Sequence, residues 1–259
     1  MKVTYKEHMG SDLEVVNAAR VSFSGESTEF TKRDEHLIKF LARGCTTKDW
    51  DELVSDISWE GNSEGKLKEL LNHVKRMPSH WVPFANGGQI KLHFKVPLFV
   101  ARQLQKHTAG FNPWSEVSRR YVDSDPEFYA PDVWRGRSAD KKQGSTGVVA
   151  ANMNIPEIYT EAMSEVVSKY KDMLEYGVAP EQARMVLPQS MYTEFVWSGN
   201  LYAWASLYNT RSWGDSQAET ANVAQQIKAI VEPLFPVSWR ELTQWVFLQL
   251  KNYKHSSTT

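Results

Sequence analysis

The sequence predicts an α+β fold, a helix-rich single domain over residues 1–259 around a small, mainly antiparallel sheet. Three observations lead there. Gly88 to Val96 alternates apolar and polar residues strictly, the period-two pattern of a strand buried on one face. Met191 to Trp197 has the β-branched and aromatic composition of a second strand. Most other apolar residues recur at three- and four-residue spacing, which is helical.

In chain order, Asp12 to Arg20 reads as a short helix that ends near Val21-Ser22-Phe23, before a Gly25-Glu26-Ser27 loop. Lys32 to Ala42 carries Leu37, Ile38, Phe40 and Leu41 on a helical stripe closed by Gly44. Thr46 to Lys75 is polar and charged and reads as an insertion, with a loop at Gly61–Gly65 and a helix around Leu67 to Val74. The Gly88–Val96 strand feeds a helix opened by Pro97, because proline suits a first helical turn. Asp125 to Gly147, rich in Gly, Ser, Lys, Asp and Pro, predicts a long loop near enough to Arg120 to act as a lid. Asn154 and Pro156 open a long helix to Tyr176, stopped by Gly177, and Pro180 starts another that contains Arg184. Leu201, Trp204, Leu207 and Tyr208 form the next stripe, and Ser216 to Val231 another amphipathic helix. Ser238-Trp239-Arg240-Glu241 has capping-box spacing ahead of Leu242, Trp245 and Leu248.

Charge excludes some functions. Lys plus Arg total 30 against 31 for Asp plus Glu, so the net charge of -1 offers no global field for coating nucleic acid or an anionic membrane. Anion binding must therefore be local. The single cysteine, Cys45, precludes an intrachain disulfide and fits a reducing compartment. The N-terminus lacks the apolar stretch of a signal peptide and nothing later has the length of a membrane span, so a cytoplasmic protein is expected. Ten tryptophans and ten tyrosines supply rings with a polar handle, suited to interfaces and to flat ligands.

Local anion binding has an obvious seat. From Phe99 to Tyr121 the chain concentrates cations, amides and hydroxyls. On the Pro97 helix, Gln103 and His107 share a face and Arg102 and Lys106 form a neighbouring row. After Asn112-Pro113, the period-two spacing of Glu116, Ser118 and Arg120 predicts an extended strip with all three on one side. Other chemistries lack support. Cys45 has no base nearby in sequence, the seven histidines are scattered without metal-ligand spacing, and neither a P-loop nor a dinucleotide-binding glycine fingerprint occurs. A phosphate must be held by side chains.

Taken in order, Val16-Asn17-Ala18-Ala19-Arg20-Val21-Ser22, His80-Trp81-Val82-Pro83-Phe84, Val100-Ala101-Arg102-Gln103, Ser115-Glu116-Val117-Ser118-Arg119-Arg120-Tyr121 and Ala183-Arg184-Met185-Val186-Leu187-Pro188, with Asn200, Arg211 and Gln217 after them, resemble the flavin-dependent thymidylate synthases. The resemblance spans roughly Val15 to Leu242. It implies an α+β homotetramer with shared active sites that converts dUMP to dTMP, with methylenetetrahydrofolate as one-carbon donor, FAD as cofactor and NADPH as reductant. No cysteine nucleophile is then needed. Matched position by position, it implies dUMP contacts at Gln103, Ser118, Arg120, Arg184 and Arg211, and FAD contacts at His80, Lys106, His107, Thr108, Glu116 and Asn200. Arg211 and Glu116 are the implied catalytic residues. Arginine suits a phosphate monoester because its planar fork makes paired, charge-assisted hydrogen bonds.

The chain departs from the family pattern on the flavin side. Arg-His-Arg becomes Lys106-His107-Thr108, and nine residues instead of seven precede Ser118. Pro83-Phe84-Ala85-Asn86 stands for Pro-Phe-Glu-His, and Ser206 for an asparagine. These changes motivate one alternative, a flavin-dependent pyrimidine nucleotide hydroxymethyltransferase. A non-catalytic nucleotide- or nucleic-acid-binding module using Trp114, Arg119 and Arg120 is the other, and the near-neutral charge argues against it.

Overall fold

The computed structural model describes residues 1–43, 80–122, 124–138, 145–149, 154–212 and 216–243. The expected Gly44 stop, the 46–75 insertion with its helix, and the tail beyond Thr243 lie outside these residues. The architecture is α+β, as expected: a four-stranded antiparallel sheet in the order β1 (Lys2–Gly10), β2 (Gly88–Pro97), β6 (Tyr192–Asn200), β3 (Ser115–Glu116) carries helices on one face.

Strand β2 (Gly88–Pro97) is the alternating segment, and its periodicity is realised fully. Ile90, Leu92, Phe94 and Val96 point into the core, while Gln89, Lys91, His93 and Lys95 face outward. The outward row is paired with acids, Lys91 to Glu7 at 2.7 Å, His93 to Glu194 at 3.2 Å and Lys95 to Glu127 at 2.8 Å. These pairs are exposed and add little stability. β6 (Tyr192–Asn200) runs antiparallel beside β2, three residues longer at its end than expected, and β3 (Ser115–Glu116) extends the sheet by pairing with Val196 and Phe195.

The sequence reading missed β1 (Lys2–Gly10), which pairs with β2 from Lys2↔Lys95 to Gly10↔Gly88. It is an edge strand with Val3 alone buried and a bulge between Tyr5 and Glu7, so no apolar alternation marks it. Gly10 ends it at φ 94°, where a Cβ would lie 1.9 Å from the Gly87 carbonyl oxygen. Only glycine permits that crossing.

Helices α1 (Asp12–Arg20), α2 (Lys32–Arg43) and α3 (Val82–Gly87) cover one end of the sheet. Short α4 (Leu98–Leu104) follows β2 directly. α7 (Leu201–Arg211) and α8 (Ala218–Val231) pack across the middle, and a further helix, α9, covers 236–243. One apolar cluster runs from Val3 to Leu242 and centres on the fully buried Phe94, Phe195 and Trp204. Buried Asp12, on α1, accepts hydrogen bonds from the backbone N–H groups of Val237 (2.8 Å) and Ser238 (2.9 Å). The expected capping box at Ser238 is thereby corrected: the helix begins two residues earlier and a carboxylate remote in sequence caps it.

Three more expectations are corrected. The Pro180 helix is the single turn α6 (Pro180–Ala183), and Arg184 opens a separate 3-10 turn, Arg184–Val186. The long loop contains an antiparallel hairpin, β4 (Arg135–Arg137) with β5 (Ser145–Val148), too short and too polar to show an apolar pattern. The Ser216 helix starts at Ala218. The long helix α5 (Ile155–Glu175) has the expected limits, with Pro156 in its first turn and Gly177 (φ 81°) after it, yet buries Tyr170 alone.

Candidate active site

The centre of the site is a junction between α4, α7 and α8. α4 ends at Leu104, so Gln103 and His107 do not share a continuous helix; a turn closed by the His107 N–H on the Leu104 carbonyl (2.9 Å) returns the histidine to the same side. Arg211 arrives from the last turn of α7. Its Nε–H donates to His107 Nε2 at 2.9 Å and its Nη2 group to the Gln103 carbonyl oxygen at 3.0 Å. The Gln103 side chain is held at both ends by α8: its Nε2 donates to Gln217 Oε1, and Thr220 Oγ1 donates to its Oε1 at 2.9 Å.

The electrostatics of this junction are unusual. Arg211 is partly buried and both its partners are neutral. No carboxylate pairs with it among the described residues, whereas Arg20 is neutralised by buried Asp34 at 2.5 Å. Burial, and then the Arg211 charge, push the His107 imidazole down to about 4. A neutral ring is what the geometry needs, because Nε2 can accept from Arg211 only without a proton; the Nδ1–H tautomer is assigned from this bond.

A pH dependence follows. The folded pKa lies below the unfolded value of about 6.5, so between those two values the unfolded chain binds the proton and the folded one does not. This contribution to stability is fully present above about pH 6.5 and is lost as pH falls toward 4. Thermal melts of the wild type should show that decline, and His107→Asn should show less of it. An identical acid limb in both would assign it to other groups.

Glu116 lies at the sheet edge, in reach of the same surface. Its Oε1 accepts from the buried Thr193 hydroxyl at 2.6 Å and its Oε2 from the Trp114 indole N–H at 3.1 Å. The Trp114 ring stacks on Phe195 at 4.0 Å, and Phe111 stacks on Trp197, also at 4.0 Å. Gly199 lets Phe111 lie there, since a Cβ would come within 2.3 Å of its ring. Phe111, Trp114 and Trp197, with Gln105, His107, Thr108, Asn112 and Pro113, line a cavity of about 400 Å³. Lys106 is exposed beside it. Asn200 is buried and caps α7, its Oδ1 accepting from the Ala203 N–H at 2.8 Å.

Other expected site residues lie apart from this junction. β3 stops at Glu116 and Ser118 to Tyr121 forms a turn, which overturns the extended strip; Arg120 lies over the Tyr121 ring at 5.1 Å. Arg184 is exposed and donates to the Glu181 carbonyl oxygen at 3.2 Å. His80 borders a cavity of about 830 Å³ with apolar walls from Phe23, Leu37, Phe40, Val82 and Pro83 and with Arg20 and Arg33 among its cations. Thr193 and Thr220 were not singled out by the sequence reading, and Trp114 was named only for stacking in the nucleotide-binding alternative, not as a partner of Glu116. Their roles depend on strand register and helix packing, and no local motif signals them.

Among the described residues no cluster of His, Cys, Asp and Glu is arranged to hold a metal ion, and no helix is long and apolar enough to cross a membrane. A family model described as thymidylate synthase complementing protein matches residues 6–237. The chain is 32% identical over 234 residues to a flavin-dependent thymidylate synthase of Thermus thermophilus, covering 90% of this chain and 72% of that protein. To the one from Kosmotoga olearia it is 31% identical over 244 residues, covering 93% and 89%. Among solved structures, a UMP/dUMP methylase, PolB from Streptomyces cacaoi, bound with 5-Br dUMP, aligns with a TM-score of 0.71 at 25% identity over 93% of each chain. With the fold, the ordered motifs and relatives over nine-tenths of its length in agreement, this chain belongs to the flavin-dependent thymidylate synthase family.

Proposed function

We propose that this chain catalyses the reductive methylation of dUMP to dTMP, using methylenetetrahydrofolate as carbon donor, NADPH as reductant and FAD as its flavin. The observation that carries this reading is the Arg211 junction: a guanidinium fixed by two neutral acceptors, its charge not cancelled by any described carboxylate. Such a cation suits the negative charge that develops on a uracil ring as C5 becomes nucleophilic, the role a thiol would otherwise share. In this reading Gln103, Ser118, Arg120, Arg184 and Arg211 hold dUMP.

The residues present fit a flavin. The two cavities offer apolar and aromatic walls for a planar ring together with His80, His107, Thr108 and the Arg33 guanidinium for its polar groups and phosphates. We assign its contacts to His80, Lys106, His107, Thr108, Glu116 and Asn200. When bound, the flavin supplies the hydride that completes the methyl group. Lys106 offers one point charge in place of an arginine fork, so its grip on phosphate is less directional. Glu116, fixed by Thr193 and Trp114, orients between nucleotide and flavin.

Ser118, Arg120 and Arg184 stand away from the Arg211 junction on one chain, which favours a homotetramer with sites completed by a second copy. Exposed Tyr121, Ile158, Tyr176 and Met185 give such copies apolar surface to cover. Neither alternative reading is favoured by the relatives, which carry the thymidylate synthase and methylase names. The test is direct. Purified protein with FAD should be yellow, and with dUMP, NADPH and the folate should yield dTMP by mass analysis. A hydroxymethylated nucleotide would establish the transferase alternative, and a protein that takes up no FAD would remove the reading.

A further inference from the structure

The β4–β5 hairpin reaches the active-site junction through one buried carboxylate. Glu219, 5% exposed, sits in the first turn of α8. Arg135 of β4 places Nη2 at 2.7 and 2.8 Å from its two oxygens, and the Tyr129 hydroxyl lies 3.3 Å away. The hairpin is itself braced: Arg135 Nε donates to Ser145 Oγ across the strands at 2.8 Å, Trp134 packs against Tyr159 of α5, and the Tyr159 hydroxyl donates to the Tyr129 carbonyl oxygen at 2.7 Å. Gln217, two residues before Glu219, and Thr220, the residue after it, are the two that grip the Gln103 side chain.

We propose that Arg135 and Glu219 are positioning residues that set the orientation of the Gln103 amide from the outlying hairpin, and through it the affinity for the pyrimidine nucleotide. This rests on Gln103 as a nucleotide contact. The physical basis is the cost of a buried carboxylate without a counter-charge: without Arg135, Glu219 keeps hydrogen bonds from the Tyr129 hydroxyl, its own backbone N–H and the Gln217 side chain but no cation, so the first turn of α8 is drawn toward water. Gln217 and Thr220 move with it. An amide presents a donor at one end and an acceptor at the other, so a rotated Gln103 offers the wrong group to a nucleobase edge. The two grips fix which end is which.

Steady-state kinetics on the flavin-loaded enzyme test this. Arg135→Met should raise KM for dUMP by roughly tenfold while kcat stays nearly unchanged, the size expected of coupling through a packed network. Arg135→Lys should recover part of the loss. Thr220→Val should act alike, and the double variant Arg135→Met/Thr220→Val should lose less than the product of the two. Gln103→Ala separates the possible failures: if it raises KM and Arg135→Met does not, the latch is overturned, whereas an unchanged KM in Gln103→Ala removes the reading of Gln103 itself. Should Arg135→Met not fold, Tyr129→Phe, which deletes one hydrogen bond to Glu219, is read in its place. A lower Tm with unchanged KM would make the hairpin merely structural and sink the proposal.

Discussion

Arg211→Ala is expected to abolish dTMP formation, lowering turnover by roughly 10²–10³-fold or more, the loss typical of deleting one preorganised donor to a developing charge. The fold should survive. Arg211 occupies the last turn of α7, is only partly buried, and gives up two hydrogen bonds to neutral acceptors. Neither acceptor becomes a buried unpaired charge when the guanidinium leaves. The visible absorbance of bound flavin should therefore persist while product disappears. Arg211→Lys should not restore activity, because an ammonium cannot bridge His107 Nε2 and the Gln103 carbonyl and still present a second N–H forward. Full turnover in either variant would take Arg211 out of the chemistry.

Trp204→Ala is expected to give the largest loss of stability of any single change in the sheet–helix core. The indole is fully buried, edge-on to Phe111 at 4.8 Å and to Trp197 at 5.3 Å, and roughly parallel to Phe94 at 6.0 Å. Its N–H is shared between the carbonyl oxygens of Ile90 (3.2 Å) on β2 and Gly199 (3.1 Å) on β6. Emptying that volume should cost about 3–5 kcal/mol, the usual range for tryptophan or phenylalanine to alanine in a core. For a chain of this size that is a drop in Tm on the order of 10 °C. Trp204→Phe keeps most of the packing and loses the N–H, so its cost should be about 1–2 kcal/mol. Melts in which alanine and phenylalanine are equivalent would show that the cavity relaxes fully.

Much of the architecture was legible locally. β2 announced itself because one face is core and the other is solvent, and α1, α2, α5 and α7 because their stripes or punctuating residues are contiguous in sequence. β1 was illegible because an edge strand with one buried residue carries no pattern. The β4–β5 hairpin was illegible for the related reason that its strands are held by backbone pairing and by the Arg135–Glu219 pair, not by an apolar face. The Ser238 capping box was present in the spelling and unused, since Asp12 supplies the cap from the other end of the chain.

By itself the sequence determined the ordered set of motifs, the sheet–helix composition, and the lack of a P-loop or dinucleotide-binding glycine fingerprint, all of which depend on residue identity and spacing. Tertiary structure alone decided that Arg211 meets His107 and Gln103, that Thr193 and Trp114 hold Glu116, and that a hairpin reaches Gln103 through Glu219. Trp114 apart, which lies two residues from Glu116, those contacts join residues far apart in the chain. Strand register and helix packing bring them within 3 Å or so, and burial then decides which charges are cancelled and which remain available to a ligand.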